Sequence, residues 1–177
     1  ISADLTEMAA TNVAVVSAGI KSILDIGLTL EKLETLGVPV VTYSSDSFPS
    51  FYSRDSGFSS PLRLDTPQSI ADLLSAKWSL GLNGSVLIAN PIAKEHEVPY
   101  VVIEEHIRKV LEAAADAKIT GKEITPFLLK YIAERTAGES LQANIELVKN
   151  TGFNVGLVGD LRLNKYFNLR IEPGLYY

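Results

Sequence analysis

Cysteine is absent from the 177 residues, so the chain has no disulfide, no thiolate nucleophile and no sulfur-ligated metal. That fits a reducing compartment without requiring one. Histidine is scarce, with His96 and His106 only, and no Cys lies near either. Two histidines so spaced make no metal motif, and solvated side chains are the simpler reading. An excess of positive charge is missing too: 16 Lys and Arg face 21 Asp and Glu, a net charge of −5, which leaves no electrostatic footprint for a nucleic-acid polymer. No apolar run approaches the roughly 20 residues of a membrane helix, and no basic-then-apolar leader opens the chain. G-x-G-x-x-G, Walker and G-x-S-x-G spacings are all absent, Gly81-Leu82-Asn83-Gly84 included. What is present is a globular composition, 46% hydrophobic and 21% charged, of a length suited to one domain. The first residue is Ile1, which suggests a processed chain or a fragment.

Residues 1–150 read as strands alternating with helices. Val13-Ala14-Val15-Val16, Val38 to Tyr43 and Ser85 to Ala89 are short continuous apolar runs, the pattern of strands buried on both faces. Between them, Ser22-Ile23-Leu24-Asp25 has capping-box spacing, Thr29 is placed to cap a stretch over Leu30, Leu33 and Leu36, and Thr66-Pro67 opens a helix with Ile70, Leu73, Leu74 and Trp78 on one face. A further helix is expected over 101–117, and others after Thr125-Pro126 and over Leu141 to Val148. The fold class that follows is α/β, a parallel sheet with covering helices, a partial α/β/α domain. Residues 44–61, rich in Ser, Pro, Phe and Asp, are expected to form an ordered loop excursion.

Residues 151–177 follow another rule. Phe153 to Leu163 and Phe167 to Glu172 alternate apolar and polar side chains about Asn164-Lys165-Tyr166, which predicts a C-terminal β-hairpin. The tail carries a net +1 against −6 for 1–150, and holds 5 aromatics and 4 of the 12 glycines. Two parts are therefore expected, a domain over 1–150 and a β-hairpin tail over 151–177.

Lys21 is the first candidate for chemistry, just past an apolar strand and at an expected helix start, where open α/β sheets place their sites. The positive end of a helix dipole and partial desolvation would both favour its neutral amine, able to attack a carbonyl. The plain alternative is a surface lysine. Asp4 is able to act as acid, base or acceptor, or simply to sit in a helix's first turn; Ser2 reads equally as a cap. Arg54 beside Asp55 offers a guanidinium to an anion or to its neighbour. Asn144 either aims a hydrogen-bonding side chain at a ligand or faces water.

Residues 1–150 resemble the C-terminal half of the pseudouridine-5′-phosphate glycosidases, the indigoidine-synthase-A-like family. The resemblance is carried by Ile1-Ser2-Ala3-Asp4-Leu5, Ala18-Gly19-Ile20-Lys21-Ser22-Ile23-Leu24-Asp25, Leu33 to Pro39, Ala89-Asn90-Pro91-Ile92, Gly121 to Leu129, and Ser140 through Ile145. It implies reversible cleavage of the C–C glycosidic bond of pseudouridine 5′-phosphate to uracil and ribose 5-phosphate. It further implies Lys21 as the imine-forming lysine, Ser2, Ala3 and Asp4 as substrate contacts, Asn144 near the base, a divalent metal such as manganese, a homotrimer and a cytoplasmic location. The family's metal aspartate stands just before the Ile-Ser-Ala-Asp segment, and its general-acid glutamate and a phosphate-contacting lysine stand in the N-terminal half. None of these is in this chain, so it is expected to be inactive alone. Ser17 and Ile20 stand where the family commonly has cysteine and alanine. The tail, Gly152 to Tyr177, is similar to one hairpin of a porin-like outer-membrane barrel, which implies an outer-membrane source for that stretch and an origin separate from 1–150.

Overall fold

The computed structural model describes residues 3–21, 24–116, 119, 127, 145, 146, 149 and 169–171. Four helices and five strands are formed among them: α1 (Asp4–Ala10), β1 (Ala14–Ser17), α2 (Ile26–Thr35), β2 (Val40–Tyr43), β3 (Arg63–Leu64), α3 (Pro67–Ser79), β4 (Val86–Ala89), α4 (Tyr100–Asp116) and β5 (Leu169–Ile171). The strands make one sheet in the order β3-β2-β4-β1-β5 with every pairing parallel. The expected α/β class and helix-covered parallel sheet are therefore observed.

Alternation along the strands builds two apolar layers. Val15, Val40 and Leu87 face α1 and α2, meeting Leu5, Met8, Ile26 and Leu33. Ala14, Val16, Val41, Val86 and Ile88 point the other way, onto Ile70 and Leu74 of α3. Both faces are covered, which is why these strands are mostly apolar, with Thr42 buried in β2, instead of alternating with polar residues. A third cluster seats Ile103, Ile107 and Val110 of α4 against Ala18, Phe51, Tyr52 and Ile92 beyond the strand ends.

Local signals account for most boundaries. Thr66 accepts from the Ser69 N–H at 3.1 Å and Pro67 opens α3, as its sequence predicts. The expected capping box at Ser22 is replaced. Asp25 itself caps α2, accepting from the Leu28 N–H at 2.9 Å, while Ser22 and Ile23 lie outside the described residues. Thr29, expected to start a second helix, sits inside α2 and its hydroxyl donates to the Asp25 carbonyl at 2.6 Å. A carboxylate accepts more strongly than a hydroxyl, so the helix begins at the aspartate. Ser2 is outside the described residues, and α1 starts from Ala3 without a side-chain cap.

The expected C-terminal hairpin is described only at Leu169–Ile171, which runs parallel to β1 at the sheet edge. Its other strand, over 153–163, and its turn lie outside the described residues.

Candidate active site

The C-terminal ends of β1 and β4 and the long loop after β2 converge around Lys21. Ser17 ends β1 and its carbonyl accepts from the Asn90 N–H at 2.7 Å, tying β1 to the exit of β4. The chain then passes through Gly19, at φ +95°, pressed so closely on Pro49 that a Cβ would stand 1.9 Å from its carbonyl oxygen. Only glycine fits, for space and for backbone angle together. The neighbouring Ala18 carbonyl accepts from the Phe51 N–H at 3.1 Å, and Phe51 adopts φ +69°, a left-handed conformation uncommon for a bulky residue. The loop is thus bolted to the segment that delivers the lysine.

A second tie fixes the far side of that loop. One Glu97 carboxylate oxygen accepts from the Ser53 hydroxyl at 3.1 Å and the Arg54 N–H at 2.8 Å. Arg54, expected to meet an anion or its neighbouring aspartate, instead donates Nη1 to the Ile92 carbonyl at 2.6 Å. Its guanidinium closes a loop. The Asp55 carboxylate accepts from the Ser47 hydroxyl and the Gly57 N–H, and these bonds hold it below the usual carboxylate range. The expectation of an ordered excursion holds, with Ser50, Ser53 and Ser56 buried inside it.

Lys21 lines a cavity of about 390 Å³ together with Asp4, Ser17, Gly19, Asp25 and Phe51. The volume falls in the range of small-molecule sites. Burial alone pushes the Lys21 amine below the usual lysine range. The helix dipole invoked from sequence is not its source, because α2 begins only at Ile26. Desolvation penalises the ammonium, so a larger share is neutral and nucleophilic near neutral pH than for a solvated lysine. Of the residues singled out from sequence, the fold brings Lys21 and Asp4 to one cavity and leaves Ala3 beneath Asp4 as the start of α1. Asn144 lies outside the described residues. His96 ends a short 3₁₀ turn, with Nε2 3.9 Å from Glu146, and His106 falls on α4. Gly19 and Phe51 were not picked out from sequence. For Gly19 the signal was the lone glycine ahead of the lysine; for Phe51 there was none.

Among the described residues no group of three His or acidic side chains is arranged to hold a metal ion. Among them, too, no helix is long and apolar enough to cross a membrane.

The family described as indigoidine synthase A like protein matches residues 1–157. The chain belongs to this family. A pseudouridine-5′-phosphate glycosidase of Petrotoga mobilis is 56% identical over 150 residues, covering 85% of this chain and 49% of the relative. One from Geobacillus kaustophilus is 56% identical over 161 residues, 91% of this chain and 52% of the relative. Among solved structures, an indigoidine synthase A-like protein of Thermotoga maritima superposes with a TM-score of 0.78 at 37% identity, covering 92% of this chain and 53% of that one. The prealnumycin C-glycosynthase AlnA in complex with ribulose 5-phosphate gives 0.82 at 32% identity, covering 93% and 56%. This indigoidine synthase A-like chain thus spans about half the length of the relatives it matches. The family match also runs past residue 150, the position at which the sequence changes character.

Proposed function

We propose that this chain carries the imine-forming part of a pseudouridine-5′-phosphate glycosidase site, with Lys21 as nucleophile. The observation that carries the reading is Lys21 on a cavity wall, its amine shifted toward the neutral form by burial, in a chain 56% identical to proteins of that name. In the synthetic direction Lys21 Nζ attacks C1 of open-chain ribose 5-phosphate. The N–C bond forms, the carbonyl oxygen departs as water with the two amine hydrogens, and an imine is left. In the cleaving direction water adds back to that carbon and frees the sugar phosphate. A carbon–carbon glycoside has no good leaving group, and the imine supplies the electron sink that simple protonation lacks.

Asp4, on the same wall, is proposed to contact the substrate, with Ser2, Ala3 and Asn144 as further contacts by resemblance. Assembly as a trimer belongs to the same proposal. Because the chain spans half of its relatives' length, it is expected to release no measurable uracil from pseudouridine 5′-phosphate by itself. Because the family match reaches residue 157, a separate origin is proposed only for the rest of the tail, 158–177, and amplifying source DNA across that seam tests it: a continuous native gene removes it.

Borohydride trapping tests the central claim. Ribose 5-phosphate with borohydride should add one reduced sugar phosphate to Lys21, and Lys21→Ala should abolish it. An undiminished adduct in that variant removes Lys21 from the role.

A further inference from the structure

A second cavity, of about 580 Å³, lies on the other flank of α2 and shares no lining residue with the one at Lys21. Gly27, Leu30, Glu31 and Glu34 line it, spaced as one face of a helix, whereas Asp25, Leu28, Thr29 and Leu33 give the opposite face to the Lys21 cavity. Phe58 and Pro61 of the long loop, with the chain entering β2, complete the lining. The Phe58 ring comes so near because residue 27 is a glycine: a Cβ there would stand 3.0 Å from it. That ring is still 42% exposed.

The charged side chains on this lining are Glu31 and Glu34, both exposed, and among the described residues neither joins an ion pair. Glu34 stands in the last turn of α2, where the helix dipole already presents negative charge, so a cation there is favoured twice over. Arg63, just beyond Pro61, is engaged elsewhere, by Asp46 and Asp65 at 2.6 and 2.7 Å. An exposed ion pair alone is weak, and hydrocarbon alone gains burial without orientation. A ligand that has both matches the lining. We propose that this cavity binds an organic cation with an apolar body, of the arylalkylamine class, its ammonium at Glu31 and Glu34 and its ring against Leu30, Phe58 and Pro61. The site needs nothing from Lys21 and stands apart from the glycosidase reading.

The full 177-residue chain, labelled with nitrogen-15, is titrated with phenethylamine, phenethyl alcohol and ethylamine, and its amide shifts are followed by NMR. Phenethylamine should half-saturate the shifts of Gly27, Glu31, Glu34 and Phe58 at a concentration about fivefold lower than the alcohol, the return for two exposed ion pairs. Against ethylamine the advantage should be about tenfold, the return for burying a phenyl ring. Glu31→Gln combined with Glu34→Gln, both at exposed positions, should bring amine and alcohol to equal affinity with the circular dichroism unchanged. Lys21→Ala should bind phenethylamine as the unaltered chain does. No saturable shift, equal affinity for amine and alcohol in the unaltered chain, or an amine preference that survives the double substitution overturns the proposal. So do shifts centred on the Lys21 cavity or lost in Lys21→Ala. Imine trapping at Lys21 is read separately, so either proposal can fail without the other.

Discussion

At the N-terminal end of the strands, Lys77 of α3 is only 8% exposed, and its ammonium donates to the carbonyls of Leu82, Asn83 and Gly84 at 2.8, 2.5 and 2.8 Å. At the C-terminal end, Lys21 lines an open cavity. Burial pushes both amines below the usual lysine range, yet the surroundings differ. Three carbonyls hold the Lys77 ammonium as the closing piece of a turn, and the Trp78 indole donates to the same Gly84 carbonyl at 3.2 Å. Lys21 borders a cavity of about 390 Å³. A depressed lysine is therefore no mark of chemistry by itself; what distinguishes the two is that Lys77 closes a turn of backbone carbonyls while Lys21 stands on the wall of a cavity.

Each end is also anchored by a glycine that cannot gain a side chain. Gly19 meets Pro49, and Gly84, at φ +89°, would place a Cβ 2.9 Å from the Ala9 carbonyl. The largest expected effect is at the first. Gly19→Ala should cost about 3 kcal/mol or more, from backbone strain together with the overlap on Pro49. It should also displace the Lys21 segment, so that imine trapping falls even at temperatures where the variant stays folded. Urea denaturation and trapping, measured side by side, would break the comparison if stability dropped and trapping did not.

Next comes Lys77→Met, which takes the ammonium from the Leu82 and Asn83 carbonyls and leaves Gly84 with the Trp78 indole, and should lower unfolding free energy by about 2 to 4 kcal/mol. Trapping per folded molecule should not change. A loss under about 1 kcal/mol would mean that the turn holds without its ammonium. Glu97→Ala removes the acceptor shared by Ser53 and Arg54, and about 1 to 2 kcal/mol is expected; Glu97→Gln, which keeps an oxygen there, should recover at least half of it.

The smallest effect sharpens the contrast through pH. The folded-state pKa of Lys21 is lowered, so at neutral pH the fold disfavours the proton that the unfolded chain retains. Lys21→Met should therefore stabilise the chain at about pH 7, and the gain should fade as the pH rises through about 10.5, where the unfolded amine loses its proton as well. Urea midpoints at the two pH values would measure it. A gain that grew with pH would reverse the assigned sign.

The elements with redundant signals were legible in the sequence. Val86 to Ala89 is uniformly apolar and central, and α3 carries both a Thr cap and a Pro start. The start of α2 was misread, because Ser22, Asp25 and Thr29 all offer cap chemistry and only the folded backbone selects one of them. Lys21 was visible from its place after a strand, although for a partly wrong reason: burial, not a helix dipole, shifts it. The make-up of its cavity was hidden, since it combines Leu5 and Met8 of α1 with Leu28 of α2, which are neighbours only once the sheet has formed. Phe51 was out of reach for the same reason. Its left-handed backbone follows from a hydrogen bond to Ala18, far away in sequence.

The strand order bears on how the chain acquires its shape in time. β1 and β2 are consecutive in the chain but not neighbours in the sheet, because β4 lies between them, with Ala14 opposite Val86 and Val40 opposite Leu87. During synthesis only β2 and β3 can pair before β4 emerges, and that ladder is two residues long. Closing the wide loop from β1 to β4 is entropically slow, and parallel pairings over such separations fold late. The pocket wall around Lys21 must then wait for a strand made well after the lysine itself, and the unpaired edge of β1 is exposed meanwhile to pairing with other nascent chains.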